Sequence, residues 1–404
     1  MQKGKSNEVK VLCCTDKFKD SLGAYQIGEV VLRTLVKNFG NVQTVNIPLS
    51  DGGDGFIHAI SQGISGSNNS KMNVKTHTVT GPLCNSISSE YAIVQNNLGR
   101  NLFAVLEMAK TSGLQLVPVN SRNPMNTTTK GLGELIKKLH DEDNISTILL
   151  GIGGSATNDA GLGALQALGV KTVLHNGEQP ETLCGKHLKE IKSIDVSNLT
   201  ISNNLEINIS CDVTNPFIGE NGAVHTFGKQ KGLITKEQRD EMESAMVHVS
   251  GLLKQSTGID VSTKQGAGAA GGIAGGFFAV MNSNVNKNKG HSVVLKSGVN
   301  VISDFVDLER NIKEADVIVT GEGCYDEQTA QGKVVSHVEM LCDKYNKPCV
   351  VLCGKNENLN SKSVVLELMS MFPFEESMNH TAKCIETIIE KNLHLFSRHI
   401  NSSL

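Results

Sequence analysis

The stretch GIGGSATNDAGLGALQALG, residues 151–169, decides how this chain is read. An apolar run, Ile148-Leu149-Leu150, predicts a strand leading into it. Gly153, Gly154, Ser155, Thr157, Asn158 and Asp159 follow, then an Ala/Leu/Gly segment of helical character. A strand that breaks into glycines and cap residues before a helix presents backbone N–H groups at the helix N-terminus. Such a site attracts anions, phosphate above all. The adjoining carboxylate of Asp159 suits a metal-bound nucleotide better than a bare phosphate.

Outward from this motif, strands and helices alternate. Residues 9–14 (VKVLCC) predict a buried strand, and 22–38 a helix with Ile27, Val30, Val31 and Leu35 on one face. Residues 42–49 (VQTVNIPL) predict a second strand, so a βαβ unit opens the chain and points to a parallel sheet. Toward the far end, 305–315, 330–346 and 380–392 read as helices, and 316–320 and 349–353 as strands. In between, 72–79, 91–95, 102–106, 145–150 and 205–210 predict strands, and 130–140 and 235–254 helices. The expected fold is α/β with two α/β domains. Residues 1–70 and 290–404 would form a doubly wound, flavodoxin- or Rossmann-like parallel-sheet domain, with 71–289 inserted as a second α/β domain.

Composition narrows the function. Of 404 residues, 39% are hydrophobic and 20% charged, which is ordinary for a globular protein. A net charge of -3, 4% aromatic residues and no Trp argue against a nucleic-acid partner or a basic membrane-binding surface. No run approaches ~18 consecutive apolar residues, so no membrane span is expected. Ten scattered cysteines lack C-x-x-C or zinc spacing, and no signal-like apolar segment precedes the first strand. Reduced thiols in a cytoplasmic protein are the expectation.

Ligands of open α/β sheets sit at the carboxyl ends of strands. The predicted strand ends share a chemistry here. They carry Asp16, Lys17, Lys19 and Asp20; Asp51, Gly52, Gly53 and Asp54; the 151–159 motif; Asp212, Thr214 and Asn215; and Gly321, Glu322, Gly323 and Asp326. Gly and Asp are good turn formers, so each cluster alone has a structural reading. Together they describe a site for Mg²⁺ and polyphosphate, since Mg²⁺ takes one or two carboxylates plus phosphate oxygens. No Walker A sequence is present, because the Gly-Lys pairs at 228, 332 and 354 are followed by Gln, Val and Asn. Residues 266–271 (GAGAAG) match G-x-G-x-x-G literally. No clear strand precedes them and the next acid is Asp304, so a tightly packed Gly/Ala helix is the better reading.

These same segments closely resemble the type I glycerate kinases, a family that phosphorylates D-glycerate with ATP. The resemblance runs through DKFKDSL (16–22), PLSDGGDG (48–55), EMAKTSGL (107–114), RNPMNTTTKGLGEL (122–135) and GIGGSATNDAG (151–161). It continues through CDVTNPFIGENGAVHTFGKQKG (211–232), GAGAAGG (266–272) and TGEGCYDEQTAQGK (320–333). It implies two domains with a cleft between them that holds the site. Lys17 stands where the family usually has Ser, and Asp20 where it often has Gly. Asp54-Gly55-Phe56 replaces a common Glu-Gly-Thr.

Roles then follow as expectations. Lys19 is either a cation on the phosphates or the glycerate carboxylate, or a solvated loop lysine. Asp51 and Asp54 position Mg²⁺ or cap a turn. Gly153, Gly154, Ser155, Thr157 and Asn158 bind phosphate, with N-capping by Ser155, Thr157 and Asn158 as the alternative or accompanying role, and Gly266 and Gly268 approach the nucleotide or the other domain. Asp212 is a candidate general base, metal ligand or cap, with Glu322 and Asp326 competing. Arg122, Thr128 and Lys130 either offer donors to a small carboxylate or brace the two domains. Glu107 forms pocket wall or pairs with Lys110. The expected cofactors are ATP and Mg²⁺, and the expected state a monomer or small homo-oligomer. A nicotinamide oxidoreductase using GAGAAG and a non-catalytic metabolite binder are the rival readings.

Overall fold

The computed structural model describes residues 9–50, 55–65, 70–96, 102–201, 204–326, 334–357 and 361–400. Two compact units emerge. The first comprises Met1–Asp51, His58–Ser70 and Val299–Leu404, the second Gly52–Ile57 and Lys71–Gly298. In chain order the strands are β1 (Val9–Cys13), β2 (Val42–Asn46), β3 (Ser70–Thr80), β4 (Ser86–Asn96), β5 (Leu102–Glu107), β6 (Thr147–Gly151) and β7 (Lys171–Leu174). They continue as β8 (Ile191–Asp195), β9 (Glu206–Ser210), β10 (Ser292–Lys296), β11 (Val317–Tyr325), β12 (Cys349–Asn356) and β13 (Val364–Glu367).

The first unit is built on a parallel sheet of order β13-β12-β11-β1-β2. Helices cover both faces, and the two-residue period of β12 shows why its first five residues, 349–353, are all apolar. Val350 and Leu352 pack with Ile27 and Val31 of helix Ala24–Phe39 and Ile385 of helix Thr381–Lys391. Val351 and Cys353 point the other way, onto Val335 of helix Val334–Tyr345. Strand order reverses between β1 and β11. Their carboxyl ends flank a topological switch point, the usual ligand position in such sheets.

The second unit holds a six-stranded sheet of order β10-β9-β6-β5-β4-β3 and an antiparallel pair, β7 with β8. Strands β5, β6, β9 and β10 are mutually parallel, and β4 runs antiparallel to β5. Register brings the carboxyl ends of the parallel strands into one row. Glu107 faces Gly151, Gly151 faces Ser210, and Ser210 faces Lys296. Leu132, Leu135, Ile136 and Leu139 of helix Lys130–Asp141 recur at helical spacing and bury against this sheet's apolar residues.

The α/β class with parallel sheets is as expected, and so is a helix after Asp159, while two local readings are corrected. That helix runs from Leu162 to Ala167, within the 151–169 stretch, behind a left-handed Gly161 with φ of 73°. Strand β11 runs on through Gly321, Glu322 and Gly323, which therefore lie within the strand and not past its end. The Gly/Ala segment is no continuous helix, because Ala270, Gly271 and Gly272 are left-handed inside Ala269–Met281. No described helix is long and apolar enough to cross a membrane, and all ten cysteines are free.

Candidate active site

In the second unit, the loops that follow β5 and β6 are stitched together. Ala156 N–H donates to the Ser112 carbonyl at 2.9 Å and Leu114 N–H to the Gly154 carbonyl at 2.7 Å. Gly113 and Ser155 form an isolated β-bridge. Beneath them the Asp159 carboxylate is fully buried. It accepts from Thr129 N–H (2.8 Å) and Oγ1 (2.7 Å), and from the N–H groups of Gly161 (3.1 Å) and Gly163 (3.3 Å). Burial pushes its pKa up from the ordinary value, against the pull of these donors. Gly161 and Gly163 are the amides at the start of helix Leu162–Ala167. An internal acid accepts from both of these amides. Ser155, Thr157 and Asn158 lie ahead of the helix, in the loop.

Sequence reasoning missed Lys231. Its Nζ donates at 2.7 Å to Ser155 Oγ and at 2.7 Å to the Thr157 carbonyl. The residue is 2% exposed. Burial pulls its amine down to about 7, with the Asp159 charge opposing. The one available signal was its place inside the matched block 211–232, since nothing in local spacing marks a lysine for burial.

Several buried polar atoms in this unit have no hydrogen-bond partner. Some lie away from the strand-end loops, on Ser89, Thr172, Asn208, Glu243, Asn286 and His291; the others are Thr157 Oγ1, both amide atoms of Asn158, Ser112 Oγ, Ser210 Oγ and Arg122 Nε. Leaving such a group unsatisfied costs about 1–3 kcal/mol. The latter set sits on the loops after β5 and β6 and at the end of β9, a placement that suits a polar ligand.

The remaining expected residues of this unit divide by the contacts they make. Glu107, 3% exposed, accepts from Ile57 N–H at 2.8 Å and Gly55 N–H at 3.3 Å, at the start of helix Phe56–Ser65. Lys110 pairs instead with Glu90 at 3.6 Å. Asp212, exposed just past β9, accepts from Gly298 N–H at 3.0 Å. Thr128 is fully buried and its Oγ1 accepts from Lys130 N–H at 3.1 Å. Lys130 Nζ donates to the Glu181 carbonyl and Thr182 Oγ1. Gly266 (φ 79°) lies by Cys211 and Val213, and a Cβ on Gly268 would stand 2.1 Å from the Pro216 carbonyl oxygen. These close approaches lie within the second unit.

In the first unit, Lys19 is exposed in the tight turn closed by the Phe18–Leu22 bridge. Asp20 beside it is left-handed (φ 59°), a conformation Gly adopts freely and Asp tolerates. Asp16 N–H donates to the Gly321 carbonyl at 2.8 Å, and Gly323 lies against Phe18 and Lys19. The switch point thus brings the Lys19 turn beside the strand segment that carries Glu322, which is 8% exposed. Asp326 ends that segment. Asp51 and Asp54 lie outside the described residues. Among those described, no group of three or more His, Cys, Asp or Glu is placed to hold a metal.

Comparison with known proteins agrees with this chemistry. Residues 11–403 match the glycerate kinase family. A glycerate kinase of Bacillus cereus is 38% identical over 86% of this chain and 85% of its own. A glycerate 2-kinase of Escherichia coli is 34% identical over 86% and 85%. A crystal structure assigned to a glycerate kinase 2 of Salmonella typhimurium superposes with a TM-score of 0.79 at 30% identity, covering 98% of this chain and 100% of that one. Fold and relatives together define an α/β kinase of a small organic acid. More particularly, the chain belongs to the glycerate kinase family and is an enzyme.

Proposed function

We propose that the enzyme transfers the γ-phosphoryl group of ATP to a hydroxyl of D-glycerate, with Mg²⁺. 2-Phosphoglycerate is the favoured product and 3-phosphoglycerate the alternative. The observation that carries this reading is the set of buried, unpartnered polar atoms on Ser112, Thr157, Asn158 and Ser210. Such a group of polar atoms on neighbouring strand ends matches a hydroxylated, multiply charged ligand, which would satisfy them.

Phosphoryl transfer asks a protein chiefly for positioning and charge neutralisation. In this reading Gly153, Gly154, Ser155, Thr157 and Asn158 receive phosphate oxygens, and Gly266 and Gly268 give the nucleotide a close backbone surface. Arg122 receives the glycerate carboxylate, with Thr128 and Lys130 fixing the segment that carries it. Glu107 holds the 55–57 turn directly after Asp51 and Asp54, the two residues assigned to Mg²⁺. When bound, that ion supplies charge neutralisation on the phosphates. Asp212 takes the proton of the glycerate hydroxyl as its oxygen bonds to the γ-phosphorus and ADP leaves. Glu322 and Asp326 are the alternative acids, and Lys19 adds positive charge. The free thiols support a cytoplasmic enzyme, working as a monomer or small homo-oligomer.

A coupled assay of ADP formation tests the reading. ATP consumption should depend on D-glycerate, and phosphorus NMR of the product identifies the isomer. Absence of turnover above the blank at millimolar D-glycerate rejects it.

A further inference from the structure

Lys231 is a buried basic group that the reaction scheme leaves unused. It closes the turn Lys229–Lys231, between helices Ala223–Phe227 and Lys236–Thr257. Among the described residues no carboxylate pairs with it. The nearby acid, Asp159, already accepts four hydrogen bonds from Thr129, Gly161 and Gly163. Charged or titratable groups on the neighbouring segments include Lys229 on its own turn, His225 on helix Ala223–Phe227, Arg122, whose backbone lies against Gly232, and Lys236, Glu237, Asp240, Glu241, Glu243, His248 and Lys254 on helix Lys236–Thr257. Arg239, on helix Lys236–Thr257, donates to the carbonyls of Leu233 and Ile234. An ammonium buried without an internal counter-charge is expensive unless an anion arrives from outside.

A second observation points to the same loop. Lys231 grips residues 155 and 157, and the buried side chains of Thr157 and Asn158 have donors without acceptors. Ser155 Oγ accepts from the ammonium, so its own O–H is free to donate elsewhere. Two of the three ammonium N–H groups are committed, which leaves a third. We propose that Lys231 is a positioning residue that sets residues 155–158 as a cradle for an oxyanion, the phosphoryl or carboxylate group of a ligand. This rests on the assignment of that loop to ligand binding. The cradle donors are Ser155 Oγ, Thr157 Oγ1 and Asn158 Nδ2, and the buried cation supplies the charge behind them. Because burial lowers this amine to about 7, an arriving anion draws a proton onto it. Binding is therefore coupled to proton uptake.

Isothermal titration calorimetry of the full chain tests this, with sulfate and with D-glycerate as separate probes. Neither probe titrates between neutral and mildly alkaline pH. Experiments in buffers of different ionisation enthalpy count the protons. Wild type should take up a fraction of a proton that rises toward one above neutrality, and affinity should fall by up to about tenfold per pH unit. Lys231→Arg, charged throughout, should bind without uptake. Lys231→Met should weaken binding at least about tenfold at neutral pH. Uptake with sulfate identifies a phosphoryl cradle, and uptake with D-glycerate a carboxylate cradle. Zero uptake in wild type with both probes, or the same uptake in Lys231→Arg, overturns the proposal whether or not Lys231→Met folds. Normal D-glycerate-dependent turnover alongside zero uptake would sink the cradle and leave the kinase reading intact. Uptake without turnover would do the reverse.

Discussion

Asp159 and Thr129 are joined twice, the carboxylate accepting from the threonine hydroxyl at 2.7 Å and from its N–H at 2.8 Å. The pair ties the loop after β6 to the start of helix Lys130–Asp141 across 30 residues of sequence. Replacing Asp159 by Asn would set amide hydrogens against a shell made wholly of donors. Asp159→Asn should lower unfolding free energy by about 2–4 kcal/mol. Urea denaturation measures it, and a loss under about 0.5 kcal/mol, the range of a neutral surface change, would remove Asp159 from the framework.

Glu107 caps the turn that follows Asp51 and Asp54, through the N–H groups of Gly55 and Ile57. Glu107→Ala should cost about 1–2 kcal/mol, the loss of a helix N-cap. It should also raise the Mg²⁺ concentration needed for half-maximal turnover, while Glu107→Gln, which keeps an acceptor oxygen, does so far less. Identical Mg²⁺ activation curves for Glu107→Ala and wild type would separate the cap from the metal-binding role.

Lys231 makes stability depend on pH with a defined sign. Its amine is lowered from the ordinary 10.5 to about 7 in the folded chain. Between those values the unfolded chain keeps a proton that the folded chain has shed, so this group's contribution to stability rises with pH across the window. It is lost as pH falls toward about 7 and is constant below. Denaturation midpoints from neutral to mildly alkaline pH should climb more steeply for wild type than for Lys231→Met. Parallel slopes would show that the folded amine stays charged.

Gly271 has φ of +74°, and a Cβ there would meet the Thr157 carbonyl oxygen at 1.9 Å. That carbonyl is the one that accepts from Lys231. Gly271→Ala should therefore combine backbone strain with a clash that no flexible side chain can absorb, costing about 2–4 kcal/mol. Gly258 has a similar φ of +77° with nothing near its missing Cβ. Gly258→Ala should cost only about 1 kcal/mol, from strain alone. Equal thermal shifts for the two variants would show that proximity to Thr157 is irrelevant.

Asp212 carries the proposed proton transfer while also capping Gly298. Asp212→Asn retains an oxygen acceptor for the cap but loses basicity. The expected result is a turnover loss of ~10²–10⁴-fold with little change in melting temperature. A loss below about tenfold would hand the role to Glu322 or Asp326.

Much of the fold could be read from the sequence because apolar runs and their periods survive folding. The βαβ opening and the parallel strands β5, β6 and β9 announce themselves in this way. The continuation of β11 did not, since GEGCY has few apolar residues and reads as a turn. Yet its backbone stays paired with β12 as far as Tyr325 opposite Asn356, and Gly321 packs on the Leu352 carbonyl. The candidate site was legible as a set of loops but not as a set of partners. Lys231 and Ser155 are 76 residues apart, and neither burial nor an unsatisfied hydroxyl has a one-dimensional signature. Asp159 was legible as an acid in the right place. Its shell of four donors, which makes it a structural group, appears only in three dimensions.

The first unit draws its sheet from both extremities of the chain, and Thr320 bonds the Cys14 carbonyl across 306 residues. During synthesis, the contiguous stretch from residue 71 to 298 can collapse and finish while β1 still has one edge bare. An early ribosomal product would therefore be half native and half sticky. Chaperone demand and truncation-induced aggregation should fall on the opening βαβ segment, waiting for β11 to be translated.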